Sequence, residues 1–228
     1  MSQSGAAGRI RGDPHRAWRF IDIGLLPFKR FLTIQDEIWS ERVRGLAIDT
    51  ILFATHPPAL SLGARPDEIQ LAFLRVSQDE LVRQQIHIVK TQRGGSLTLH
   101  APGILGCYVI MKTPGSIVAP LERLAHTVFH TFNIHTTARV AATEPQDAAK
   151  YRGAWANGKK IASIGLNNSN GVTRFGINFN VSADPRLLAL LHPCGIRERE
   201  LTTMALEGCS ASVADVQHAI SASLPHIL

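Results

Sequence analysis

Apolar residues recur along the chain in two rhythms, a period of two in short runs and a helical period in longer ones, which predicts a sheet covered by helices. Arg19 to Leu26 alternates loosely and reads as a strand. Pro27 then opens a helix at its first position, with Phe28, Phe31, Leu32, Ile38 and Trp39 apolar on the way to Arg44. Thr50 to Ala54 is a short apolar strand, and a loop is expected after it because His56-Pro57-Pro58 cannot continue a ladder. Ser77-Gln78-Asp79-Glu80 has the form of a capping box and predicts a helix to about Gln85. Ile86 to Lys90, Leu97 to Leu99 and Ile104 to Met111 read as extended. Ser116 to Phe132 is an amphipathic helix with Val118, Leu121, Leu124, Val128 and Phe132 on one side.

Asn157-Gly158 is the strongest hairpin signal, because both residues of such a turn take positive φ, and it joins strands at Tyr151 to Ala156 and Lys159 to Leu166. A strand over Val172 to Val181, a short helix over Pro185 to Leu191 and a helix over Val213 to Ile220 follow. No repeat or linker interrupts the pattern. The expected fold is α/β (α+β), a mixed sheet with flanking helices in a single domain over 19–228, preceded by a flexible basic tail over 1–18.

The 228 residues are enough for a substantial core without crosslinks. Three cysteines, Cys107, Cys194 and Cys209, form no Cys-x-x-Cys pair, so a reducing, cytoplasmic setting is expected. The formal charge is +6, but Arg9, Arg11, Arg16 and Arg19 against Asp13 supply three of those charges, leaving a mildly basic body. It lacks the basic and aromatic interleaving of a nucleic-acid groove, so acidic protein partners are expected and nucleic acid is not. No run approaches the ~20 apolar residues of a membrane span, so no membrane partner is expected.

Cys194, in His192-Pro193-Cys194-Gly195, sits where proline fixes the backbone on one side and glycine frees it on the other, which can present sulfur at a loop; a buried, inert thiol is the other reading. Strand alternation puts Lys160 on a face with Ala162 and Ile164, and Lys159 on the other with Ile161 and Ser163, so it does not choose between the lysines. Arg93-Gly94-Gly95 joins a guanidinium fork to glycines that allow close backbone approach, and reads either as a carboxylate or phosphate cradle or as a tight turn. His100 follows, and a lone strand histidine is as readily structural. His126 and His130 have the i, i+4 spacing of a metal face but neither the glutamate of His-Glu-x-x-His nor a third ligand, so no metal is expected. The chain has no Gly-x-Ser-x-Gly, Walker or Gly-x-Gly-x-x-Gly motif, so no nucleotide cofactor is expected.

Taken in order, His56-Pro57-Pro58 to Leu62-Gly63, Arg93-Gly94-Gly95-x-x-Thr98-x-His100-x-Pro102-Gly103, Gly158 to Gly165, Pro193-Cys194-Gly195 and Leu201-Thr202-Thr203-Met204 resemble the octanoyltransferase family of lipoate biosynthesis. The resemblance implies a fold like the catalytic domain of biotin and lipoate protein ligases. It assigns Cys194 as nucleophile and Lys160, the lysine immediately before Ile-Ala, as base. Arg93, Gly94, Gly95, His100, Ser163, Ile164, Gly165, Phe175 and Gly176 fall on its substrate-binding segments.

The implied reaction takes an octanoyl group from acyl carrier protein onto Cys194 and passes it to a lysine of a lipoyl domain, without ATP or any cofactor. Thr173-Arg174-Phe175-Gly176-Ile177-Asn178-Phe179-Asn180 stands where the family has Thr-x-His-Gly-Phe-Ala-Leu-Asn. Phe175 for histidine, Ala101 for glycine and Ile104 for glutamine predict a more apolar pocket. An ATP-dependent lipoate or biotin ligase and a non-catalytic acyl-binding paralogue are the alternatives.

Overall fold

The computed structural model describes residues 17–137, 152–193 and 200–228. Its elements are β1 (Trp18–Leu25), α1 (Phe28–Val43), β2 (Asp49–Thr55), β3 (Ala59–Leu62), α2 (Asp67–Leu71), α3 (Gln78–Arg83), β4 (His87–Lys90), β5 (Thr98–His100) and β6 (Ile104–Ile110), then α4 (Val118–Thr131), β7 (Gly153–Ala156), β8 (Lys159–Ser169), β9 (Val172–Asn180), α5 (Pro185–Leu188) and α6 (Val213–Ser223). The expected basic tail falls almost wholly outside the described residues, and Tyr151, Cys194 and Gly195 also lie outside them.

A six-stranded sheet in the order β1-β2-β6-β9-β8-β7 and a three-stranded sheet in the order β4-β3-β5 form the frame. The large sheet is mixed: β1 and β2 are parallel and the other pairs are antiparallel. Alternation along β2 sends Ile51 and Phe53 into an apolar cluster with α4 and α6, and Leu52 and Ala54 into one with Phe28 and Phe31 of α1. The large sheet is therefore covered on one face by α4 and α6. Its other face carries α1, and the small sheet has an apolar cluster of its own built on Leu60, Leu62 and Leu99. No helix among the described residues is long and apolar enough to cross a membrane.

Most predicted elements are present within a residue or two of their expected ends. Pro27 is the N-cap of α1 rather than its first residue, because its ψ of 131° is still extended. The loop expected after Pro58 is instead β3, which can follow at once because Pro57 and Pro58 lie in the bend before the ladder. Ser77 caps α3 by accepting the Glu80 N–H, but the Glu80 carboxylate turns to Arg83 and Gln84, so only half of the capping box forms. Asn157 and Gly158 take φ of 48° and 75°, as the hairpin requires.

Two local departures position the site. Along β7 and β8, Ala154 pairs with Ala162 and Trp155 with Lys160, so Ile161 is an extra residue, a β-bulge. Ile161 and Ala162 both enter the main core, while Lys160 lines the same cavity as Ser163. The bulge thus separates Lys160 from Ala162, with which strict alternation would place it, and brings Ser163 as well as Ile164 to the cavity beside it. Opposite it, Gly153 has φ of 127°, and a Cβ there would overlap the Ala162 carbonyl.

The second departure is in β9, where Phe175 takes φ of 63° in mid-strand. α1 supports it with three residues: the Trp39 indole N–H donates to Val172 O at 3.2 Å, Asp36 pairs with Arg174 at 2.9 Å, and Gln35 Oε1 accepts the Phe175 N–H at 3.0 Å.

Candidate active site

Strands β8 and β9 of the large sheet and the small-sheet side line a narrow cavity. From the large sheet come Lys160, Ser163 and Ile164 on β8 and Asn178 and Asn180 on β9; from the small-sheet side come Arg93, Gly95, Ser96 and Thr98. Pro193 and Leu201, which flank the undescribed 194–199, are also in the wall. A smaller inner chamber shares Arg93, Thr98, Ser163, Ile164 and Asn178 with it and ends among Phe28, His100, Tyr108, Gly165, Phe175 and Gly176.

Lys160 is 2% exposed, whereas Lys159 is half exposed and reaches Glu200 at 3.7 Å. The Lys160 backbone N–H donates to Glu200 O at 2.8 Å and its carbonyl accepts the Thr202 N–H at 3.0 Å, which ties β8 to the chain just beyond 194–199. Its Nζ lies 5.3 Å from the centre of the Trp155 ring, a cation–π distance. On the near side of that segment, Leu191 bridges to Leu74 and the His192 N–H donates to Phe73 O at 2.9 Å. Both ends of 194–199 are therefore fixed to the frame around one cavity.

Arg93 turns its guanidinium inward. Nη2 donates to Ser61 O at 2.7 Å and to Ser61 Oγ at 2.8 Å, Nε reaches the same hydroxyl at 3.2 Å, and Nη1 donates to Gly94 O at 3.1 Å. The same Ser61 hydroxyl lies 2.8 Å from His100 Nε2, while the Asn178 amide nitrogen lies 3.4 Å from its Nδ1. Burial, then the neighbouring His56 and Arg93, hold His100 well below the usual histidine value, so it is neutral at pH 7. Its ring stacks on Phe28 at 4.0 Å. Gly94 is not a wall residue; its N–H donates to Leu166 O at 2.7 Å and docks the loop on β8. Of the residues the resemblance singled out, Lys160, Arg93, Gly95, His100, Ser163, Ile164, Gly165, Phe175 and Gly176 line the connected chambers, while Cys194 lies outside the described residues.

Ile104 lines the cavity and Phe175 the inner chamber, where the apolar reading of the pocket put them, but Ala101 does not reach either. Ala101 is buried in the small-sheet cluster, so it contributes nothing to the cavity, and Asn178 stands on the wall where the family pattern has alanine. Asn178 and Asn180 went unnoticed in the sequence, although they alternate with Ile177, Phe179 and Val181, which are in the core. Polar residues at every second position of a strand buried on both faces are the signal that was available. His126 instead has its Nδ1 2.6 Å from Thr136 Oγ1, and no group of three metal-ligating side chains occurs among the described residues.

Behind the inner chamber, His56 Nδ1 is 2.7 Å from Leu26 O and Nε2 is 2.8 Å from the Tyr108 hydroxyl. The carbonyl can only accept, so Nδ1 carries the proton and Nε2 accepts from Tyr108. Burial pushes His56 down to about 4, against a partial upward pull from the Leu26 bond. With the folded value below the unfolded one, the unfolded chain binds more protons over that window, so stability is full above about pH 6.5 and falls toward pH 4. The loss due to His56 is roughly 2–3 kcal/mol by pH 4.5. Urea unfolding at pH 7 and 4.5 should show a shallower pH dependence in His56→Gln than in the wild type; equal slopes would remove His56 as the cause.

The family model of the lipoyl protein ligase A/B catalytic domain matches residues 28–225. The octanoyltransferase of Chloroflexus aurantiacus is 33% identical over 217 residues, covering 90% of this chain and 91% of its own. That of Syntrophobacter fumaroxidans is 30% identical over 208 residues, covering 88% and 86%. The bipartite lipoate protein ligase of Thermoplasma acidophilum shares the fold with a TM-score of 0.68 at 14% identity, covering 92% of this chain and 84% of that one. Lipoate-protein ligase A bound with ATP does so with 0.67 at 15%, covering 89% and 81%. With the motif order and the two-sheet frame agreeing, the chain belongs to the octanoyltransferases of the lipoyl protein ligase A/B catalytic-domain family and is an acyltransferase.

Proposed function

We propose that the protein transfers an octanoyl group from acyl carrier protein to a lysine of a lipoyl domain through a thioester on Cys194, without ATP and in the cytoplasm. The observation that carries this reading is the burial of Lys160 in the wall of the cavity that Pro193, the residue before Cys194, also lines. A lysine out of bulk water beside a thiol-bearing segment is the arrangement a nucleophile and its base require.

In the first step Lys160 takes the Cys194 proton, and the thiolate attacks the donor carbonyl. The carbonyl's bond to the carrier's phosphopantetheine sulfur breaks, and that sulfur leaves with the proton from Lys160. In the second step the acceptor ε-amine attacks the Cys194 thioester. An amide forms, Cys194 leaves as thiolate, and the amine's proton passes through Lys160 to the sulfur. Arg93 and Gly95 shape the entrance loop, and Ser163, Ile164, Gly165, His100, Phe175 and Gly176 bound the acyl channel. A thioester consumed and an amide formed need no further source of energy. Acidic carrier and lipoyl domains suit the mildly basic body.

Mixing the protein with octanoyl-acyl carrier protein and an unmodified lipoyl domain, with ATP removed enzymatically, should give octanoylated lipoyl domain. Product that forms only from free acid with ATP would make the protein a ligase instead.

A further inference from the structure

Phe175 departs from what a strand residue ordinarily does. Its φ of 63° is costly for any residue with a Cβ, and the pairing of β8 with β9 continues through it opposite Leu166. Its ring is 6% exposed, yet it joins none of the three apolar clusters that take in Phe28, Phe31, Phe53, Phe129 and Phe179. Phe175 instead lines the inner chamber, with Phe28, Tyr108 and His100. Strain that the surroundings hold in place is a mark of ligand sites. Here the holding group is Gln35, fully buried on α1, whose side-chain oxygen accepts the Phe175 N–H at 3.0 Å.

The two chambers share Arg93, Thr98, Ser163, Ile164 and Asn178 in their walls, and we infer that together they form one channel. Beginning at Lys160, it passes between Ser163 and Ile164 on one side and Arg93 and Thr98 on the other. It then runs along Gly165 and Gly176, paired across β8 and β9, with the Arg93 side chain packed about 3.1 Å from where a Gly165 Cβ would stand. A linear chain with its carbonyl near Lys160 therefore has its far end among Phe28, Tyr108 and Phe175. Phe28 and Tyr108 are built into the α1 cluster, whereas Phe175 is not.

We propose that Phe175 is the specificity-determining stop of this channel, setting the longest acyl chain the protein accepts, and that Gln35 is the positioning residue that holds the stop in place. The inference rests on the reading that the cavity takes an acyl chain. It gives the substrate class an upper bound: an unbranched medium-length acyl group whose tail ends against an aromatic face.

The test is calorimetric binding of free saturated acids from hexanoate to myristate, which needs no turnover, beside the transfer assay with octanoyl-acyl carrier protein. Wild-type affinity should rise to a maximum and fall for longer acids. Phe175→Gly removes the ring and relieves the positive φ, so it should move the maximum to longer acids. Each methylene entering the freed space should tighten binding by about fourfold. Phe175→Leu should give an intermediate shift and carries the test if the glycine variant folds poorly. Gln35→Leu should lower the preference for octanoate over laurate, a ratio that a general loss of stability leaves unchanged.

An unmoved maximum in both Phe175 variants, or an equal loss at every length, overturns the inference even in an active transferase. A shifted maximum in a protein that transfers nothing upholds the stop and rejects the transferase reading.

Discussion

Lys160→Met is expected to lower acyl transfer by about 10²–10⁴, the usual contribution of a general base, while Lys159→Met leaves it unchanged. The two lysines are neighbours in sequence and differ in setting through one extra residue, Ile161, which turns Lys160 to the cavity and leaves Lys159 half exposed beside Glu200. Methionine keeps most of the lysine stem's volume. The main-chain bonds from Lys160 to Glu200 and Thr202 do not involve the side chain, so the frame around 194–199 should persist. The loss should therefore appear in kcat, with the melting temperature little changed. Equal losses in the two variants would show that charge near the entrance matters, and not a proton acceptor in the wall.

Cys194→Ala is expected to abolish transfer through a covalent intermediate, because neither remaining thiol can replace it. Cys107 is fully buried on β6, and burial pushes its thiol far above the ordinary range. Cys209 packs against the main core, and neither of these cysteines is a wall residue of the cavity or the inner chamber. Steady-state transfer by the Cys194→Ala variant should fall to background, and Cys209→Ser should retain wild-type turnover. Full activity in Cys194→Ala would mean direct attack of the acceptor amine on the carrier thioester, with Lys160 as its base.

The sequence showed the strands and helices well where the period was clean. β6, α4 and the Asn157-Gly158 hairpin lie close to where alternation, amphipathicity and turn chemistry put them. β3 was hidden because two prolines precede it, and proline forbids a ladder bond only at its own nitrogen. The bulge at Ile161 was hidden for a deeper reason. Alternation assumes that each residue opposes one partner, and an inserted residue reverses every face beyond it without any mark in the apolar pattern. The resemblance singled out Lys160 where periodicity could not, and the bulge gives the physical reason for its orientation. Arg93 shows the opposite limit: an arginine beside two glycines fits both a ligand cradle and a turn, and its bonds to Ser61 and Gly94 are those of a loop-shaping residue that also lines the channel. Gln35 could not be foreseen, since its partner is a main-chain N–H 140 residues away.

The central claim is that the acyl group passes through Cys194 beside Lys160, and intact-mass analysis tests it most directly. The protein is mixed with octanoyl-acyl carrier protein in the absence of ATP, and a lipoyl domain is then added. The account predicts a single octanoyl adduct that maps to the peptide containing Cys194, forms slowly in Lys160→Met, and disappears as the lipoyl domain gains the group. Octanoylation of the lipoyl domain with no adduct on the protein at any time, or an adduct on another residue, would contradict it.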